Sequence, residues 1–154
     1  MKYRFTYDSP IGKLTIHETD NALSHVRFSL DDELSDYVIK ETSLIKKAFQ
    51  QLAEYFNGTR TSFDLPLYIK GTPFQEKVWK ALLTIPYGKT ASYKDIGIKV
   101  NNPKGARAVG MANNKNNIAI IIPCHRIIGS NGKLVGYAGG LKIKQYLLNL
   151  EKTK

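Results

Sequence analysis

The spacing of apolar residues changes along this chain. Over residues 3–28 they alternate with polar ones. Tyr3, Phe5 and Tyr7 come first, then Leu14 and Ile16, then a run from Ala22 to Phe28. A period of two belongs to a pleated strand with one buried face. Ser9-Pro10-Ile11-Gly12 and Thr19-Asp20-Asn21 separate the runs as turns. Later the period becomes three and four. Leu44, Ala48, Leu52 and Tyr55/Phe56 predict a helix over 33–56, and Leu141, Ile143, Leu147, Leu148 and Leu150 predict one over 141–151. The expected class is α+β, with a small antiparallel sheet and one helix first and a mostly helical second half.

Asn57-Gly58-Thr59-Arg60 reads as the end of the first helix. Residues 59–71, with Pro66 and Gly71, read as a connector. The expected domains are therefore 1–65 and 70–154. Thr72-Pro73-Phe74-Gln75 is a capping box with proline at the first helical position. Phe74, Val78, Leu82 and Ile85 make an apolar stripe there, flanked by Trp79, which reads as core. Ser92-Tyr93-Lys94-Asp95 opens a second short helix in the same way, and Asn102-Pro103 opens a third from Lys104 to about Asn113. Residues 113–117 read as a polar loop.

Residues 1–65 carry 8 basic and 10 acidic side chains, whereas residues 66–154 carry 15 basic and 3 acidic. That asymmetry points the second half toward a polyanion, with nucleic acid as the first candidate and a solubilising surface as the alternative. Cys124 is the only cysteine, so no internal disulfide is possible. Met1 to Pro10 lacks a signal-peptide core, and no apolar run reaches bilayer length. The expectation is a soluble, cytoplasmic protein without a membrane partner. His17 and His25 fall in the predicted strands and read as surface or half-buried residues without a role.

Two stretches carry chemistry. The predicted helix Pro103-Lys-Gly-Ala-Arg-Ala-Val-Gly-Met-Ala112 follows a helix and a turn, as in a helix-turn-helix. Yet it is built of small residues around a single large cation, Arg107. It suits either a minor groove with one inserted side chain or a tightly packed core. In Ile-Pro-Cys-His-Arg (122–126), a thiol has a base beside it and cations near it, a setting that favours thiolate. A zinc site lacks ligands, and a redox switch lacks a second cysteine. A cysteine hydrolase, a nucleophile that keeps the group it accepts, and a buried structural thiol all remain open.

These segments together resemble the O6-alkylguanine-DNA alkyltransferase family. The resemblance rests on Ile-Pro-Cys-His-Arg at 122–126, Asn-Pro-Lys-Gly-Ala-Arg-Ala-Val-Gly at 102–110 and Gly-Tyr-Ala-Gly-Gly-Leu at 136–141. Leu-Leu-Asn-Leu-Glu at 147–151 and the Pro-Phe-Gln to Ser-Tyr stretch at 73–93 add to it. It covers residues 72–151 in order, and in the first half it rests mainly on Ser-Pro-Ile-Gly-Lys-Leu at 9–14. It implies a ribonuclease-H-like first domain and a helix-turn-helix or winged-helix-like second domain.

The resemblance further implies direct repair of O6-alkylguanine in double-stranded DNA. The alkyl group passes once to Cys124 after base flipping, with no cofactor, no metal and a monomeric protein. His125 would be the general base acting through a water, Glu151 would hold its imidazolium, and Asn116 would complete the set through water. Arg107 would fill the vacated stack. Tyr93 would rotate the phosphate and donate to the flipped guanine, while Gly105, Ala106 and Ser130 would meet the minor groove and backbone. Ile127, Tyr137 and Ala138 would line the base pocket. Some family members have Ser at position 138, so Ala138 removes a side-chain hydrogen bond there. Rival readings are a protein that binds alkylated bases without chemistry and a helix-turn-helix regulator.

Overall fold

The computed structural model describes residues 1–28, 36–129, 131–134, 136–137 and 139–152. The chain divides into two compact units, Met1–Ile69 and Lys70–Lys154.

In the first unit, β1 (Lys2–Ser9), β2 (Gly12–Thr19) and β3 (Ala22–Arg27) form an antiparallel meander. Asp20 and Asn21 both have positive φ, at 51° and 67°, between the paired residues Thr19 and Ala22. Two left-handed residues in a two-residue loop match the twist of the flanking strands, and Asp and Asn tolerate that conformation best after Gly. A fourth strand, β4 (Val38–Ile39), lies parallel to β1, giving the order β3-β2-β1-β4.

Helix α1 runs Ser43–Phe56. The expected helix over 33–56 therefore begins later. Val38 and Ile39 are β-branched and pair with Tyr3 and Arg4, and Lys40 N–H donates to Arg4 O at 2.9 Å. Thr42 then caps the helix by accepting from Ile45 N–H at 3.1 Å. The part of the expected helix at 33–35 lies outside the described residues. Ile45, Ala48, Leu52 and Tyr55 of α1 are fully buried, as are Leu14, Ile16 and Leu23 of the sheet; together they make the core. His17 is also fully buried, not at the surface: it meets His25 and Tyr37 edge to face, with centroids 5.0 and 4.9 Å away. The expected connector is partly tied to the sheet, because Leu23 N–H donates to Pro66 O and Tyr68 N–H to Leu23 O.

The second unit holds α2 (Pro73–Leu82), β5 (Ala91–Ser92), α3 (Tyr93–Lys99), α4 (Ala106–Asn114), a 3₁₀ turn (Cys124–Arg126), β6 (Ile127–Ile128) and α5 (Leu141–Lys152). Both expected capping boxes form, at Thr72/Gln75 and at Ser92/Asp95. Each N-cap bond satisfies a backbone donor that the helix itself leaves free, typically worth about 1 kcal/mol. Trp79 is core, its indole N–H donating to Ala112 O at 2.9 Å, which ties α2 to α4.

The third helix of this unit starts at Ala106 rather than Lys104, and it ends at Asn114. The turn before it takes up the difference. Asn101 has φ 61°, Asn102 N–H donates to Gly97 O at 2.7 Å, and Gly105 N–H to Asn102 O at 2.9 Å. The close approach needs glycine, since a Cβ on Gly97 would lie 2.8 Å from Asn102 O. Val78, Leu82, Ile96, Val109, Ile118, Ile120, Ile122, Ile127 and Leu147 form the core of this unit. Among the described residues no helix is long and apolar enough to cross a membrane.

Candidate active site

The buried run Ile118–Ile122 delivers the chain to Pro123 and Cys124. Asn116 shapes that delivery. Its Nδ2 donates to Ile122 O at 2.9 Å and to Ile118 O at 3.4 Å, and its Oδ1 accepts from Ile118 N–H at 3.0 Å. The 3₁₀ turn then closes on itself, and β6 leaves it paired in parallel with β5, Ala91 opposite Ile127. Cys124 is thus held at the junction of a packed apolar run and a short strand.

The polar core begins at the very next residue. His125 is fully buried and its Nε2 lies 2.7 Å from Glu151 Oε2. Arg126 grips the same carboxylate with Nε at 2.8 Å from Oε1 and Nη2 at 3.1 Å from Oε2, while Nη1 donates to Ile85 O at 2.7 Å. Gly88 N–H adds a fourth bond to Oε1 at 3.2 Å. A carboxylate accepts only, so the 2.7 Å contact places the histidine proton on Nε2 and leaves the Nδ1 lone pair free. Nδ1 is buried and has no partner among the described residues. Burial pushes the His125 pKa below its usual value, opposed by Glu151 and helped by Arg126 and Lys144. The imidazole is a neutral base at pH 7.

Cys124 differs from its sequence expectation. Its thiol is buried, and burial raises its pKa. Hydrogen bonding from Asn116, the charge of Lys144 and hydrogen bonding from Tyr137 pull the other way without prevailing. The resting group is a thiol, so its proton has to be removed for the sulfur to act as a nucleophile.

Lys144 was not visible as a site residue from sequence. It is fully buried on α5, with Nζ 3.4 Å from Gly136 O. Burial lowers its pKa and the nearby Cys124 raises it. The signal was present in the helix period. Lys144, Leu147, Leu148 and Glu151 fall at i, i+3, i+4 and i+7, so one buried face of α5 carries both the ammonium and the carboxylate. Arg126 was also missed, as was Asn113, which is buried with Nδ2 3.5 Å from Cys124 O.

A groove of about 750 Å³ opens beside this centre, lined by Tyr93, Lys94, Pro103, Lys104, Ala106 and Arg107, with Gly110, Gly129 and Asn131. Tyr93 is the first residue of α3. Burial raises its phenol pKa, and the nearness of Cys124 adds to the rise. Arg107 and Ala106 are exposed on α4, and Gly105 is its N-cap. Ile127 is fully buried, side chain and main chain together, and its side chain belongs to the core. Ser130 and Ala138 lie outside the described residues. Among the described residues no group of three or more metal-ligating side chains gathers.

Residues 73–153 match the family described as 6-O-methylguanine DNA methyltransferase, DNA binding domain, and residues 1–69 match its ribonuclease-like domain. A methylated-DNA–protein-cysteine methyltransferase from Methanosarcina barkeri is 49% identical over 149 residues, covering 95% of this chain and 94% of the relative. The constitutive enzyme of that name from Bacillus subtilis is 46% identical, covering 99% and 96%. The crystal structure of Mycobacterium tuberculosis OGT in complex with DNA superposes with a TM-score of 0.93 at 47% identity, covering 98% of this chain and 93% of that one. Two matched domains in order, with identity near one half across nearly the whole length, make this chain a member of the methylated-DNA–protein-cysteine methyltransferase family.

Proposed function

We propose that the chain reverses O6-alkylation of guanine in DNA by moving the alkyl carbon once, and permanently, onto Cys124. The observation that carries the reading is the neutral His125, clamped through Nε2 by Glu151, beside a thiol that has to lose its proton.

In this mechanism the extruded guanine presents its O6-alkyl carbon to sulfur. The sulfur lone pair forms the S–C bond while the C–O bond breaks, and that electron pair stays on the guanine. The thiol proton passes to His125 Nδ1, through a water where the two atoms do not meet directly. Glu151, already paired with Arg126, stabilises the imidazolium formed, as a carboxylate does in a catalytic triad. Lys144 offsets charge developing on sulfur. Tyr93 hydrogen-bonds the departing guanine and passes it a proton, and the proton taken up by His125 leaves through water and restores the Tyr93 hydroxyl. The product is a thioether, whose C–S bond is not hydrolysed in neutral water, so each molecule acts once.

Access to O6 needs the base out of the stack. The slim outward face of α4 fits the minor groove, with Arg107 filling the vacated space and Lys94 and Lys104 on the flanking phosphates. The protein acts as a monomer on double-stranded DNA in this reading. Tyr137 lines the base pocket.

The test is intact-protein mass after mixing with an O6-methylguanine duplex. The expected result is a stoichiometric gain equal to replacing one hydrogen by methyl, mapped to Cys124 and absent in Cys124→Ala. Tight binding with unchanged mass would instead favour a lesion-binding protein without chemistry.

A further inference from the structure

Helix α4 presents two outward rows. Ala106 and Gly110 border the groove, and Gly110 sits against Tyr93, where a Cβ would lie 3.5 Å from ring atom Cε1. The second row is Arg107, Met111 and Asn114, all exposed, at i, i+4 and i+7. Every other outward position of the helix is Ala, Gly or Asn. Against that trimmed surface Met111 is a long apolar side chain left 66% exposed, one turn from Arg107. It lies outside the groove lining, on the crest of the helix.

A lone exposed methionine is ordinary on most surfaces. On a helix cut down for close approach it is the one group besides Arg107 with the reach to enter a duplex. Met is also among the side chains that minor-groove proteins wedge against base steps, being flexible enough to fill an irregular gap. Lysines on the flanks grip phosphates whether or not the stack is open, so they do not favour the opened state over the closed one. An apolar wedge does, because it is dehydrated only when a step offers it base edges and sugar.

We propose that Met111 is a second DNA-contacting wedge. Its thioether packs on the deoxyribose wall and base edges of the minor groove, about 6 Å along the helix from Arg107, and helps hold the step apart. This rests on the reading of α4 as the minor-groove helix.

The test compares Met111→Ala, Met111→Gln and Met111→Leu in the full chain. The probes are an O6-methylguanine duplex carrying 2-aminopurine beside the lesion, the same duplex at several salt concentrations with a Cys124→Ala background, and free O6-benzylguanine. Losing part of a methionine's burial predicts roughly fivefold to twentyfold weaker duplex binding and slower duplex transfer for Ala and Gln. Their 2-aminopurine signal should be smaller. Leu should restore both to within about twofold, being a near-isosteric apolar swap. The slope of log Kd against log salt should not change, since no charge is removed. Reaction with free O6-benzylguanine should be unaltered in all three. Unchanged duplex binding and fluorescence in Met111→Ala would overturn the proposal, as would equal losses on the free base. A wild-type chain that binds duplex but transfers nothing would remove the repair reading instead, and the binding and fluorescence comparisons would still decide on Met111.

Discussion

Glu151 Oε2 sits 2.7 Å from His125 Nε2, and the two side chains are 1% and 0% exposed. The pair is not isolated: the same carboxylate also takes a two-point grip from Arg126 and a backbone bond from Gly88. A charge this deep is tolerable only because each oxygen has two donors.

Glu151→Gln keeps the shape and removes the charge. It leaves Arg126 buried without its counter-ion, which costs about 3–5 kcal/mol when one partner of a buried pair is lost. Transfer should fall by roughly 100-fold or more, on the scale of disabling a general base. Chemical denaturation and single-turnover rates measured together check both halves. A stable variant with a normal rate would refute the role given to this carboxylate.

Lys144→Met should separate stability from reactivity. A buried ammonium is costly, so replacing it with an apolar chain of similar length is expected to leave the melting temperature equal or higher. The same change withdraws a positive charge that holds the Cys124 pKa down. Iodoacetamide alkylation of Cys124 across pH should shift to higher pH, and DNA transfer at pH 7 should slow by about tenfold. An unshifted alkylation profile would show that Lys144 serves packing only.

Arg107→Ala should slow repair in duplex DNA more than reaction with free O6-benzylguanine. Arg107 stands exposed on α4, outside the His125–Glu151 centre. The measurement is a pair of single-turnover rates. Equal losses on both substrates would sink the assignment of Arg107 to the vacated stack.

His25 makes the first unit sensitive to acid. Burial lowers its pKa to about 4, with Arg27 and Lys2 adding repulsion. The unfolded chain protonates this histidine near its ordinary pKa of about 6.5. Folding therefore opposes proton uptake, and the stability associated with neutral His25 is present above about pH 6.5 and drains as pH falls toward 4. Melting temperatures from pH 7 to 4 should drop less in His25→Asn than in the parent chain. Parallel curves would contradict the burial argument.

Much of the scaffold was legible from local chemistry. The hairpin turns, the Thr72 and Ser92 capping boxes and the α5 helix depend on neighbours within a few residues, and each formed, although the buried face of α5 is Lys144, Leu147, Leu148 and Glu151 and Leu141 is exposed. Where competition was nonlocal, reading by period failed. Val38 and Ile39 went to the edge of a sheet because Tyr3 and Arg4 offered unpaired backbone, a fact held 34 or more residues away. Asn102 took over the start of α4 because Gly97 lets the turn approach closely. His17 was buried by a sheet face that alternation alone could not assign to the interior.

The sequence by itself determined which atoms are available for chemistry: a single cysteine thiol, a histidine next to it, and a late glutamate on an amphipathic helix. It also determined the two-part α+β plan, because strand and helix periods and their caps are local properties. Only the tertiary structure decided how those atoms behave. Burial turned a thiol that looked ready to ionise into one with a raised pKa, and it brought Arg126 onto Glu151 and Lys144 toward Cys124. Desolvation and Coulomb interactions depend on distances across the fold, and no spacing along the chain encodes them directly.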